Sequence, residues 1–201
     1  DPENDVVVLS GETVGAAPEF VYYLLHKPAG YVSATEDKRD KTVMELVASD
    51  RKGLFPVGRL DKDTEGLLLL TDDGELAHRL LSPKKHVDKT YYAKIDGQVT
   101  EEHVKQFREG LDIGDEKKTL PAVLTILLSG PVSEIEVTIH EGRFHQIKRM
   151  FEAVGCKVTY LKRLSMGSLV LDETLPLGEY RPLTEAELEG LTKQRGTDKN
   201  E

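Results

Sequence analysis

Asp61 stands at the end of the apolar run Val57-Gly58-Arg59-Leu60, two residues after a cation, and a second apolar run, Gly66 to Thr71, follows almost at once. A carboxylate just past a strand, beside an arginine that keeps it ionised, is rigidly aimed yet open to a cleft. That arrangement suits carboxylate catalysis. It also suits a plain turn or capping aspartate, because Asp is common in turns and exposed ion pairs are weak. A second group lies in Glu141-Gly142-Arg143-Phe144-His145-Gln146-Ile147-Lys148-Arg149-Met150-Phe151-Glu152-Ala153-Val154-Gly155. At 100° per residue, Phe144, Ile147, Phe151 and Val154 fall on one stripe, with His145, Gln146, Arg149 and Glu152 opposite. Lys148 falls at the border, where a lysine either snorkels outward or is half buried beside a carboxylate. Such a helix is either an ordinary amphipathic one or a basic face for RNA phosphates. In Lys89-Thr90-Tyr91-Tyr92, strand geometry turns Lys89 and Tyr91 the same way. A tyrosine there either fills the core or stacks on a base.

Other chemistries find little support. The six histidines, His26, His78, His86, His103, His140 and His145, show no zinc-like pairing with cysteine and no His-Glu-x-x-His. There is no phosphate-binding Gly-x-x-x-x-Gly-Lys-Ser/Thr, no nucleophile elbow and no dinucleotide fingerprint. No cofactor and no metal is called for.

The elements that must hold these residues read as follows. Val21 to Leu25 is a strand, Lys27 to Gly30 a turn, and Tyr31 to Ser33 a short strand. Thr42 caps a short helix, Val43 to Val47. Phe55 to Val57 leads toward Asp61, and Gly66 to Thr71 is a buried strand. Asp72 or Asp73 caps a helix to about Leu81, closed by Pro83. Lys89 to Ile95 alternates as a strand, and Thr100 caps a helix from Glu101 to about Glu109, ended by Gly110. Leu120 to Leu128 and Ser133 to His140 are strands, Gly142 to Gly155 a helix, and Val158 to Leu161 and Ser168 to Leu171 short strands. Thr184 caps a last helix, Glu185 to Leu191, and residues 192–201 are polar and expected to be disordered. The order predicts an α+β fold with a mixed, mostly antiparallel sheet, and not the regular βαβ rhythm of a doubly wound one.

The 201 residues suit one domain, or one domain with a remnant of another. Hydrophobic content of 38% arrives in strong local runs, so a real core is expected. No run reaches about 18 apolar residues, so no transmembrane helix is expected. A lone cysteine, Cys156, cannot form an internal disulfide; it fits a reducing cytoplasm and reads as a small buried apolar residue. The net charge of −9 argues against a wholly basic nucleic-acid coat protein. The cations nonetheless gather at Lys84-Lys85-His86, Lys89, Arg143 to Arg149, Lys157 and Lys162-Arg163, which predicts a basic cleft on an acidic body.

Taken together, these segments resemble the pseudouridine synthases, in the branch that modifies ribosomal RNA with a Gly-Arg-Leu-Asp motif. Lys27-Pro28-Ala29-Gly30 is similar to the family's first motif, and Gly58-Arg59-Leu60-Asp61 through Gly74 to its second. Lys89-Thr90-Tyr91 is similar to the strand that supplies the family's tyrosine, and Gly142 through Lys148 to its third motif. Leu161-Lys162-Arg163-Leu164 resembles the segment after it. The matches run from about Phe20 to Glu185. Phe144-His145-Gln146-Ile147-Lys148-Arg149-Met150-Phe151 and Gly178 to Leu183 are similar to the branch acting on 16S rRNA. Lys148 stands where many relatives have arginine, so a point charge replaces a fork.

The resemblance implies a pseudouridine synthase fold with a central cleft. It implies isomerisation of one uridine of 16S rRNA, conventionally U516, in a partly assembled small subunit. The enzyme would be a cytoplasmic monomer that needs no cofactor and flips its target base. Asp61 is implied as the catalytic carboxylate, Lys148 as its cationic partner, and Tyr91 as the ring under the uracil. Leu164 would wall the pocket. Arg59, Lys27, Lys89, Arg143, His145, Gln146, Arg149, Lys162 and Arg163 would meet RNA. Residues 20–191 would be the catalytic domain. Residues 1–19 would be the tail of a small S4-type RNA-binding domain, with Asp5 to Val14 its last hairpin, in a chain shortened from that architecture. Two alternatives remain open: the same reaction on 23S rRNA, and a non-catalytic rRNA-binding assembly module.

Overall fold

The structure, a computed structural model, describes residues 20–197. The hairpin and S4-type remnant expected in residues 1–19 lie outside the described residues, as do residues 198–201 of the expected tail. Among the described residues nine strands form one sheet: β1 (Tyr22–Lys27), β2 (Phe55–Pro56), β3 (Glu65–Thr71), β4 (Lys89–Asp96), β5 (Val123–Leu128), β6 (Val132–Ile139), β7 (Lys157–Met166), β8 (Leu169–Val170) and β9 (Tyr180–Pro182). Among the described residues four α-helices accompany them, α1 (Gly74–Leu81), α2 (Glu101–Glu109), α3 (Gln146–Ala153) and α4 (Glu185–Thr197), with short 3-10 turns at Val43–Leu46 and Pro83–Lys85. The order across the sheet is β5-β6-β4-β7-β3-β1-β9, with β2 on β3 and β8 on β7. Only β3 and β7 run parallel; every other pairing is antiparallel. The α+β expectation is met.

The sheet is apolar on both faces at its centre, and β3 shows why its leucines do not alternate with polar residues. Leu68 and Leu70 face one cluster, with Leu25, Val43, Ile95, Phe107, Val137 and Phe151. Leu67 and Leu69 face another, with Leu24, Val57, Leu76, Leu80, Met166 and Leu191. A strand covered on both sides has no solvent face to paint polar. By contrast β4 does alternate, burying Lys89, Tyr91, Ala93 and Ile95. Cys156 lies buried in the first cluster, just before β7.

The parallel seam demands a glycine. Gly66 has φ +113, and a Cβ on it would stand 2.3 Å from the Arg163 carbonyl oxygen. Local chemistry sets the helix starts. The Asp73 side chain accepts from the Leu76 N–H at 3.1 Å and so caps α1. Thr42 and Thr100 begin capping boxes closed by Glu45 and His103.

Several boundaries differ from expectation. The Tyr31–Ser33 strand reduces to a single bridge between Val32 and Thr42. Helix α4 continues to Thr197, so residues 192–197 are helical and not part of a disordered tail. Helix α3 begins at Gln146, four residues later than expected, because His145 takes the left-handed conformation (φ 48) and breaks the helical phase before it. Among the described residues, no helix is long and apolar enough to cross a membrane.

Candidate active site

The loop that carries Asp61 is bound from beneath by the end of β1. Lys27 is fully buried, and its ammonium reaches the carbonyl oxygens of Pro28, Asp61 and Lys62 at 3.1 Å each and Thr64 at 2.7 Å. Burial pushes this ammonium down to about 8, against the pull of Asp63, Asp61 and Glu65. The Ser33 hydroxyl accepts from the Leu60 N–H and donates to the Leu60 carbonyl, 3.1 Å each way. The Gly30 N–H donates to the Lys62 carbonyl at 2.9 Å. Every turn of the loop is thus tied down at its backbone, which leaves the Asp61 side chain free to face the cleft.

Helix α3 brings the counter-charge. Lys148 Nζ lies 3.0 Å from Asp61 Oδ2 and 2.8 Å from Asp63 Oδ1. Partial burial works against the lysine's charge, but hydrogen bonds to Asp63 and Asp61 outweigh it and hold the ammonium above its ordinary value. The same bond from Lys148 holds the Asp63 carboxyl below its ordinary value. His145 Nε2 lies 3.3 Å from Asp61 Oδ1. Its ring stacks on Phe144, centroids 3.8 Å apart and 19° between planes. A non-glycine residue in the left-handed region is strained by about 1 kcal/mol or more, and here that turn delivers the imidazole to Asp61.

Asp61 opens into a cleft of about 860 Å³ that Arg59, Tyr91, His145, Lys148 and Leu161 also line. Tyr91 is buried on β4, with Arg163 of β7 directly across from it. Arg59 is exposed at the rim and makes no ion pair among the described residues. The three residues read as carrying the chemistry, Asp61, Tyr91 and Lys148, therefore share one cavity, with Arg59 and His145 beside them.

Other expected RNA contacts are redirected into the fold. Lys27, as above, holds the Asp61 loop. Arg143 donates to Glu141, to the Lys117 carbonyl at 2.6 Å and to the Lys118 carbonyl at 2.8 Å. Arg149 donates to the Phe144 and Ile113 carbonyls and pairs with Asp115 at 2.9 Å. Both arginines clamp the loop after α2 rather than offer themselves to phosphate. Gln146 is buried, bonded to Glu141 and to the Arg143 N–H, so it belongs to the inner face of α3. Phe144 is the reverse case, 75% exposed where the helical stripe had it buried. Both errors follow from the later helix start. Lys162 points away from the cleft toward Glu173, 3.6 Å distant. Leu161, two residues along β7 from Arg163, lines the cleft in place of Leu164, as the period of 2 requires. Lys89 and Arg163 are buried at the cleft floor, out of reach of a surface phosphate.

Sequence reading did not single out Asp63, Ser33 or Glu141. Asp63 carried a signal in being two residues from Asp61. Glu141, which accepts from Arg143, Gln146 and the Leu120 N–H, carried none, because the loop between its own segment and Leu120 must fold back to bring them together.

Comparisons with known proteins agree with this architecture. Residues 21–153 match the family model described as RNA pseudouridylate synthase. The chain is 50% identical over 191 residues to the "Uncharacterized RNA pseudouridine synthase YtzG" of Bacillus subtilis (strain 168), covering 94% of this chain and 80% of that protein. It is 42% identical over 189 residues to the "Ribosomal small subunit pseudouridine synthase A" of Escherichia coli (strain K12), covering 93% and 80%. Among solved structures, "Crystal structure of pseudouridylate synthase" superposes with a TM-score of 0.81 at 43% identity, over 86% of this chain and 74% of that one. With the fold, the cleft and its carboxylate–lysine pair already in place, the chain belongs to the RNA pseudouridylate synthase family.

Proposed function

We propose that this isomerase converts one uridine of small-subunit ribosomal RNA to pseudouridine, with Asp61 as its essential carboxylate. The observation that carries the reading is the Asp61–Lys148 contact at 3.0 Å inside the cleft that Tyr91 also lines. An ionised carboxylate fixed in this way can serve the sugar carbon of a nucleotide turned out of its stack. The bond from C1′ to N1 breaks and one from C1′ to C5 forms. The C5 proton leaves and N1 gains one, so the reaction balances without a co-reactant. Tyr91 supplies a ring face for the uracil, Lys148 sets its positive charge against Asp61 at 3.0 Å, and Arg59 meets the RNA at the rim.

The choice of the small subunit rests on two supports. Relatives named for small-subunit RNA are 42–45% identical to this chain, and the segment Phe144 to Phe151 resembles that branch. The substrate is read as RNA in a partly assembled subunit.

The test is site-resolved pseudouridine mapping of 16S rRNA, naked and partly assembled, with the chain and with Asp61→Asn. One new pseudouridine is expected, lost by about a thousand-fold or more in the variant while RNA binding persists. Substantial turnover by Asp61→Asn would overturn the role of the carboxylate.

A further inference from the structure

We propose that Lys89, backed by Arg163, is the counter-charge for the uracil after it has left its sugar, an oxyanion site on the floor of the cleft. The inference rests on the reading of the reaction given above and adds a catalytic residue to it.

Lys89 is 9% exposed and Arg163 is 1% exposed. Among the described residues the Lys89 ammonium has no hydrogen-bond or ion-pair partner within reach. Arg163 Nε donates to the Leu67 carbonyl at 2.9 Å, but its buried Nη2 has no partner among the described residues. Buried polar groups are normally paired, so the unpartnered Arg163 nitrogen is costly. Its charge also repels that of Lys89.

Other lysines of the molecule that are drawn out of solvent find oxygen partners, one for a structural end and one in the active site itself. Lys27 meets four carbonyl oxygens, and Lys148 meets two carboxylates. The acids nearest Lys89 in sequence and space are engaged elsewhere. Asp88 holds His140 at 2.6 Å, and Glu141 holds Arg143 and Gln146. Burial and then Arg163 press the Lys89 ammonium below its ordinary value, with Asp88 and Glu141 opposing. An arriving anion would relieve both.

Position completes the case. Lys89 and Tyr91 point the same way from β4, about 7 Å apart as alternate residues of a strand are. Arg163 lies across from Tyr91 in register, and all three line the cleft with Asp61. A ring lying on Tyr91 has its edge within reach of the ammonium. When the C1′–N1 bond breaks, its electron pair stays with the uracil and spreads over N1 and the ring oxygens. A preorganised cation aimed at that developing charge lowers the barrier without reorganising. The charge returns to the sugar carbon when the C1′–C5 bond forms, so no further reactant is required.

The experiment compares the chain with Lys89→Met and Lys89→Gln in single turnover, on RNA bearing uridine or 5-fluorouridine at the target. Fluorine stabilises the departing anion, so the fluorinated base depends less on a cation. Loss of the N-linked nucleoside is followed after nuclease digestion, together with Tm and RNA Kd. The expected result is a rate on uridine lowered by about a hundred-fold or more, and a deficit at least ten-fold smaller on 5-fluorouridine. Tm should be unchanged or higher, since a partly desolvated charge repelled by Arg163 has gone, and Kd should stay within about three-fold. Equal deficits on both substrates in both variants, or deficits that follow a fall in Tm or in RNA binding, overturn the proposal. Asp61→Asn separates the two readings. If that variant still turns over, the reading of the site has failed. If it is inactive while both Lys89 variants keep the parent rate, only the assignment of Lys89 has failed.

Discussion

Two basic residues near Asp61 look interchangeable by type and differ by environment. Arg149 is held by two carbonyls and Asp115, while Arg59 stands exposed at the rim. Only a free cation can release counterions when it meets a phosphate. Arg59→Ala should therefore weaken RNA binding and lower the slope of log affinity against log salt by about 1. A salt titration of Kd, with slopes compared between variant and parent, checks this. The placement of residues was legible in the sequence where the chemistry is local. Asp61, Tyr91 and Lys148 share the cleft as the motif resemblance led one to expect. Lys27, Arg143 and Arg149 were read as RNA contacts because type alone is visible along a chain. The carbonyls they satisfy are delivered by segments up to 37 residues away.

At the scale of elements, two features make separate demands. Gly66 lets β3 and β7 approach in parallel, and an alanine there would drive its Cβ into backbone, which cannot swing aside as a side chain can. Gly66→Ala should destabilise the fold by roughly 3 kcal/mol or more, read as a shift of the urea midpoint. Asp172 ties the segment after β8 to β9 through Arg181 at 2.9 Å, and Arg181 in turn grips Glu187 of α4. Hydrogen bonds from Thr174, then from Arg181, hold the Asp172 carboxyl down at about 2, below its unfolded value of 3.8. A group depressed on folding stabilises above its unfolded pKa, and that contribution fades as pH falls from about 4 to about 2. In Asp172→Asn the fall of Tm across this window should be shallower than in the parent chain, as thermal melts from pH 2 to 6 would record. Element existence was largely legible, since an unbroken apolar run marks β3 and periods of 2 and 3.6 mark β4, α1 and α2. The start of α3 was not, because a left-handed His145 interrupts a pattern that stays apolar through it. Strand β9, three residues ending in proline, carries too short a pattern to be read without its partner β1.

For the molecule as a whole, an acidic chain of net charge −9 keeps its cations where the fold uses them: beneath the Asp61 loop, across the cleft floor and at the rim. The sum of charges was legible and its distribution only partly so, because burial decides which cations face outward. The two apolar layers on opposite faces of the sheet were foreshadowed by the unbroken leucine run of β3, though the order β5-β6-β4-β7-β3-β1-β9 was not. One further property follows from Cys156. It is the chain's single thiol, and it is buried against Gly97 among the residues of the larger core cluster. Burial raises its pKa, so little reactive thiolate is present at neutral pH. The protein thus carries its own clock for internal opening. Alkylation of native protein should be slow and single-exponential, and should accelerate in step with the loss of circular dichroism as urea is added. A rapid phase in native buffer would reveal that the corner between α3 and β7 breathes independently of the rest.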